Sequence, residues 1–225
     1  PGHPRTPPDT PPPTRNATTM TDAPPAFDGL ILDLDGTLAD TMPSHYVAWR
    51  RALEPHGITY EEPLFYEWGG KPDRKIAADL AAAQGRSIDV GAVAEAKRRA
   101  YLELGPDHVV ALPATRRLAE ACREVIPMAI ATGGRRNIAE QILSTLGMLE
   151  WFDAVVTADD VTEHKPAPET YVRAAEAIGV LPHRCLAVED TALGMQAADD
   201  AGCTVIHVDH LPNDPWPLLW GEAAA

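Results

Sequence analysis

The residues best suited to chemistry begin at Asp33-Leu34-Asp35-Gly36-Thr37, where two carboxylates stand two positions apart at the end of the largely apolar run 27–32. If that run is a buried strand, both acids emerge at its C-terminal end, the edge at which open α/β sheets place their ligands. Carboxylates crowded there repel each other unless a cation or a shared proton relieves them. Mg²⁺, a hard cation that prefers oxygen ligands, is the simplest relief. The plainer alternative is a strand that ends in a solvated Asp-Gly turn.

Three later stretches offer complementary groups. Thr132-Gly133-Gly134-Arg135 brings a hydroxyl and small-residue amides able to cradle phosphate oxygens ahead of a helix. In His164-Lys165-Pro166-Ala167-Pro168-Glu169 the prolines restrict the direction of Lys165. Val188-Glu189-Asp190-Thr191 supplies a second acidic pair, costly at a strand end unless neutralised, and able to complete an oxygen-rich metal site with Asp33 and Asp35. Each stretch alone has an ordinary reading: a loop, a solvated lysine, a helix-capping acid. All four falling at one edge of one sheet is improbable as coincidence.

The elements that must carry them are legible as alternating patterns. Strands are expected at 29–33, 127–132, 154–158, 185–189 and 204–208, and helices at 114–124, 137–146, 168–178 and 193–201. The alternation predicts an α/β fold with a doubly wound parallel sheet. The stretch 34–126 far exceeds the dozen or so (~12) residues of an ordinary crossover. Within it, 44–53, 75–83 and 90–102 read as helices, so a helical cap at 41–109 is expected to interrupt a core formed by 27–40 and 110–210. The flanks 38–41 and 104–112 are the expected hinges. Residues 1–26, rich in Pro, Thr, Asp and Ala, read as a disordered lead, and Met20 as a plausible start. The tail 211–225, with Trp216, Leu218, Leu219 and Trp220, is expected to pack back on the core.

Bulk composition narrows the function. With 33 acidic against 19 Lys and Arg residues, the net charge of −14 repels phosphate backbones and argues against nucleic acid. An anionic substrate then needs a local cationic site. No apolar run approaches the ~20 residues of a membrane span, and no signal-peptide core is evident, which together suggest the cytoplasm. Cys122, Cys185 and Cys203 lack metal-ligand spacing and read as buried, reduced thiols.

On these four stretches, in order and at fitting separations from Phe27 to about Val208, the chain resembles the haloacid dehalogenase superfamily, in the branch with a helical cap after the first strand. Phe27-Asp28-Gly29-Leu30, Asp40-Thr41-Met42-Pro43-Ser44-His45 and Ala48-Trp49-Arg50 resemble β-phosphoglucomutases and bacterial phosphatases of fructose-1-phosphate. The cap stretch Gly70-Lys71-Pro72-Asp73-Arg74-Lys75-Ile76-Ala77 is closer to the phosphatases: Asp73 stands where the mutases carry an arginine for a second phosphate, with Arg74 one residue late. Gly134 replaces a frequent serine.

The resemblance implies a Mg²⁺-dependent phosphatase of small sugar phosphates, with a mutase as the alternative and a non-catalytic binding protein as a remoter one. It makes Asp33 the nucleophile and Asp35 the acid and base, the latter requiring an elevated pKa. It assigns the metal to Asp33, the main-chain carbonyl of Asp35, and Asp190, with Glu189 orienting a metal-bound water. It gives Lys165, Thr132, Gly36 and Gly133 to the phosphoryl oxygens and His45 to the proton of Asp35; Lys71, Arg74 and Lys75 are the cap's candidates for contacting substrate, a solvated helix start being the plainer alternative. The acid at position 35 disfavours dehalogenation, which leaves no alkoxide to protonate. The expected partner is a small phosphorylated metabolite, with no nucleic acid or membrane, and the expected state a monomer or weak homo-oligomer. His56, His108 and His164 have no partner legible in the sequence.

Overall fold

The computed structural model describes residues 26–105 and 109–220. The expected lead up to residue 25, and His108 in the second expected hinge, lie outside the described residues. Five short strands form one parallel sheet: β1 (Gly29–Leu32), β2 (Met128–Ala131), β3 (Ala154–Val156), β4 (Cys185–Glu189) and β5 (Thr204–His207). Their order is β3-β2-β1-β4-β5. After β1 the chain builds outward through β2 and β3, then returns to place β4 on the other side of β1. The order therefore reverses between β1 and β4, and a crevice opens beyond their carboxyl ends. Leu32 pairs with Val188, so the residues that follow, Asp33 and Glu189, leave the sheet side by side.

Alternation along the strands divides the core in two. Leu30, Leu32, Met128, Ile130, Leu186 and Val188 face one layer, which includes α5 (Pro113–Cys122) and α6 (Arg136–Thr145). The opposite face is built of smaller residues, among them Ala129, Ala131 and Ala187. Their lack of bulk lets α7 (Glu169–Ala177) and α8 (Ala192–Asp200) lie close to the sheet. Leu219, in the short α9 (Trp216–Trp220), is fully buried, and its carbonyl accepts a hydrogen bond from the Ala26 amide at 2.7 Å. The described part of the tail, up to residue 220, packs on the core; residues 221–225 lie outside the described residues.

The insertion after β1 is a helical cap of α1 (Met42–Leu53), α2 (Glu62–Glu67), α3 (Asp73–Ala83) and α4 (Val90–Leu104). It has its own aromatic core, in which Trp49, Tyr60 and Phe65 pack edge to face and Ile76, Leu80 and Val93 close the cluster. The sequence pattern omits α2, whose six residues are too few to show a helical period. The two connections between cap and core run antiparallel: the Asp40 amide donates to the Val110 carbonyl at 2.9 Å and that of Leu112 to Leu38 at 2.8 Å. Among the described residues no helix is long and apolar enough to cross a membrane. The three cysteines are free and buried, and burial pushes Cys122 and Cys185 up to about 12 and Cys203 to about 11. They are inert thiols at neutral pH.

Candidate active site

The acids and the lysine of the four stretches meet at the crevice between β1 and β4. Lys165, buried on the loop after β3, reaches Asp33 Oδ1 at 2.7 Å, Glu189 Oε1 at 2.5 Å and the Ala131 carbonyl at 3.0 Å. The loop is held by Glu169 Oε2, which accepts from the amides of Thr162 at 2.9 Å and Glu163 at 2.8 Å. Burial and the negative charges of Glu189 and Asp190 push Asp33 well above the usual carboxylate range despite its contact with Lys165. For Glu189 burial pulls upward, but Lys165 and the hydrogen bonds it receives hold it below its ordinary value. Lys165 thus stands between two carboxylates, paired with both Asp33 and Glu189.

The two oxygens of Glu189 are filled. Oε1 accepts from Lys165 and from the Tyr171 hydroxyl at 3.0 Å; Oε2 accepts from the Asp190 amide, the Thr191 amide and the Thr191 hydroxyl, each at 3.0 Å. Thr191 also caps α8, accepting from the Gly194 amide at 3.0 Å. That helix end presses on the acid so closely that a Cβ on Gly194 would stand 1.8 Å from Glu189 Oε1.

Asp190 lies beside the Asp-Gly turn of the first motif. Its Oδ1 accepts from the Thr37 hydroxyl at 3.1 Å. Gly36 has φ +86°, and a Cβ there would come within 2.2 Å of Asp190 Oδ2, so both backbone conformation and close approach demand glycine. Asp33, Glu189 and Asp190 each present an oxygen, all within 4.8 Å of one another. These carboxylates hold more negative charge than Lys165 neutralises, and burial together with Glu189 pushes Asp190 up to about 7. A crowded all-oxygen set fits a hard divalent cation. The hydrogen bonds that fill Glu189 suit it to an outer role around such an ion, leaving Asp33 and Asp190 the freer carboxylates.

Asp35 turns the other way, toward the root of the cap. Its Oδ1 accepts from the Thr41 hydroxyl at 2.6 Å and lies 3.1 Å from His45 Nε2. His45 stacks flat on Tyr101 at 4.1 Å, and its Nδ1 is buried without a hydrogen-bond partner. The elevated pKa expected of Asp35 is not what these contacts produce. Burial raises it, but the hydrogen bonds from His45 and Thr41 and the nearby charge of His45 outweigh burial and hold it below its ordinary value.

Asp33, Lys165 and Glu189 of the first set and Asp35 and His45 of the second line one cavity of about 810 Å³ between cap and core, together with Trp49, Thr132 and Gly133. Thr132 is buried and accepts from the Gly134 amide at 2.9 Å. From the cap come Lys71, which pairs with Asp79 at 2.5 Å and lies over the Trp68 ring, and Arg74, whose guanidinium lies against Gly91. His164 lines the same space, whereas His56 is exposed on a turn away from it.

Sequence reasoning overlooked Thr41, Tyr171, Tyr101 and Lys97. Lys97 reaches both carboxylate oxygens of Asp73 at 3.1 Å beneath the cavity wall. Its signal was available, since it stands on the buried stripe of α4 with Val93, Ala100 and Tyr101. Tyr171 had none, because a tyrosine on the apolar face of a helix reads as core.

The family model for haloacid dehalogenase-like hydrolases matches residues 27–202. The chain belongs to this family. It is 38% identical over 182 residues to fructose-1-phosphate phosphatase YqaB of Escherichia coli, covering 81% of this chain and 96% of that one. It is 35% identical over 173 residues to validoxylamine A 7'-phosphate phosphatase of Streptomyces hygroscopicus subsp. limoneus, covering 76% and 81%. The crystal structure of CbbY from Rhodobacter sphaeroides in complex with phosphate superposes with a TM-score of 0.70 at 26% identity, over 80% of this chain and 85% of that one. The chain is thus an enzyme of a hydrolase family, and its fold is shared with that crystal structure.

Proposed function

We propose that the chain is a Mg²⁺-dependent phosphatase of small sugar phosphates that works through a phosphoaspartate on Asp33. The observation that carries the proposal is the division of the two motif acids: Asp33 sits against Lys165 on the floor of the cavity, while Asp35 is tied to Thr41 and His45 at the root of the cap. An acid beside the nucleophile but anchored separately is what a displacement with proton transfer to the leaving group requires.

In the first step an Asp33 oxygen attacks phosphorus and a new O–P bond forms as the bond to the sugar oxygen breaks. That oxygen takes a proton from Asp35. In the second step Asp35 accepts a proton from water, the water oxygen attacks phosphorus, and phosphate leaves with Asp33 regenerated. The depressed pKa of Asp35 describes the protein without substrate; a phosphate dianion brought beside it favours its protonated form. His45 steadies the carboxylate through either change of charge. Lys165 offsets charge on the nucleophile and transferring oxygens, and Thr132 with the Gly36 and Gly133 amides supplies donors. Mg²⁺, held by Asp33, Asp190 and the Asp35 carbonyl, would screen repulsion between nucleophile and phosphate.

Named phosphatases of phosphorylated carbohydrates at 35–38% identity support the substrate class. The Asp73–Lys97 pair favours hydrolysis over mutase chemistry, because the cap position at which the resembling mutases carry an arginine is here an acid already engaged by a lysine. The test is phosphate release with Mg²⁺ from fructose-1-phosphate, 6-phosphogluconate and β-glucose-1-phosphate, with Asp33→Asn as control and glucose-6-phosphate followed in parallel. Asp33-dependent release is expected. Conversion of β-glucose-1-phosphate to glucose-6-phosphate with little release would make the enzyme a mutase instead.

A further inference from the structure

We propose that His207 is a positioning residue for the divalent cation: its imidazole holds the Asp190 main chain, and with it the carboxylate that binds the ion. His207 ends β5 in register with Glu189, one residue before Asp190. Its Nδ1 lies 3.2 Å from the Asp209 amide, which can only donate, so that nitrogen is an acceptor. The Asp209 carboxylate, 3.6 Å away and largely in solvent, is too distant to hold a proton there. The ring proton is therefore on Nε2, which donates to the Asp190 carbonyl at 3.0 Å. A backbone N–H two residues downstream sets the tautomer, and the tautomer supplies the donor.

Asp190 is then fixed on every side. Its amide donates to Glu189 Oε2, its carboxylate accepts from Thr37, and its carbonyl accepts from His207. The first two contacts come from the motifs themselves. The third comes from an edge strand that sequence reasoning left without a role, and it holds the carbonyl end of the peptide between Asp190 and Thr191, whose N–H end donates to Glu189 Oε2. Without it that peptide is held from its N–H side alone, and the direction of the Asp190 carboxylate is fixed less tightly. Partners of this kind, which orient ligands without touching the metal, alter metal affinity about 10- to 100-fold when removed.

The inference rests on the reading of Asp190 as a metal ligand, and the experiment separates the two. Mg²⁺ binding to the full chain is measured by calorimetry, without substrate, for the native protein and for Asp190→Asn, His207→Leu and His207→Gln, each first shown to melt cooperatively. His207 is partly exposed on an edge strand, so both substitutions are compatible with folding. The expected result is a Kd raised about tenfold in His207→Leu and restored to within about twofold in His207→Gln, whose amide donates from nearly the same place. Asp190→Asn should bind far more weakly than either. Native-like affinity in His207→Leu, with Asp190→Asn impaired, overturns the role of His207 alone. Equal weakening in Leu and Gln variants overturns it too, since packing and not donation would then matter. Binding unchanged in Asp190→Asn, or absent from the native protein, overturns the metal reading beneath it.

Discussion

At the scale of single residues, Lys165 and Asp33 touch each other yet should behave oppositely when removed. Lys165→Met leaves Asp33 and Glu189 facing each other in a buried site, and loss of one partner of a buried ion pair costs about 3–5 kcal/mol. Asp33→Asn removes the carboxylate that burial and Glu189 already push toward its neutral form, leaving Lys165 paired with Glu189. Urea denaturation should show a larger loss for the first substitution than for the second, although both abolish turnover. At this scale the sequence was most legible where type and spacing combine: Asp33, Asp35, Lys165 and Glu189 line the cavity, and Asp190 clusters with Asp33 and Glu189. It was least legible where one residue meets another at a distance in the chain, as with the hydrogen bonds of Tyr171 to Glu189 and of His207 to the Asp190 carbonyl. Nothing in the spacing of a tyrosine on an apolar helix face, or of a histidine at a strand end, separates a hydrogen-bond partner from packing.

At the scale of elements, the apolar runs and the alternation of periods sufficed to place all five strands: β1, β2 and β4 are buried on both faces and have little freedom in composition, and the edge strands β3 and β5 keep short β-rich runs. The short α2 and α9 escaped because neither completes two turns. Helix starts carry the site, and two glycines near them make opposite predictions. Gly194→Ala puts a methyl group on Glu189, a carboxylate already locked by five donors, so it should cost about 2 kcal/mol or more despite alanine's better helix propensity. Gly91→Ala meets the end of the Arg74 guanidinium at 2.6 Å, which can swing aside, and Asp89 Oδ1 at 3.3 Å, which need give only slightly, so stability should change by less than about 1 kcal/mol. Thermal or urea melts of the pair distinguish them.

The loop after β3 offers a pH test. Partial burial of Asp160 pulls its carboxyl upward, but hydrogen bonds from Arg136 and Thr157 bring it down to about 2. The same Arg136 guanidinium bonds the Val155 carbonyl at 3.0 Å, tying the start of α6 to β3 beside the Thr132 loop. A folded-state value below the ordinary 3.8 means that the stabilisation is present above pH 3.8 and is lost as pH falls toward about 2. Asp160→Asn should therefore be less stable by ~1 kcal/mol at pH 7, discounted for partial exposure, with the gap closing below pH 3.8.

At the scale of the whole molecule, strand order explains why residues so far apart in sequence converge. The reversal between β1 and β4 brings Asp33 beside Glu189, and the cap inserted directly after β1 carries Thr41 and His45 onto Asp35. A net charge of −14 does not favour an anionic substrate at long range, so affinity must come from contacts inside the cavity, where salt screens little. A bound cation should also stabilise the whole fold: Mg²⁺ at about 100 times its Kd is worth ~2.7 kcal/mol, which in a chain of this size raises Tm by roughly 5–10 °C. Asp190→Asn should lose most of that rise in a thermal melt.

The most direct measurement is of the covalent intermediate itself. Enzyme mixed with Mg²⁺ and fructose-1-phosphate, quenched in acid within its first turnovers and digested, should carry one phosphoryl group on the peptide containing Asp33, absent from Asp33→Asn. Rapid phosphate release with no phosphorylated peptide, or with the label on another residue, would contradict the account.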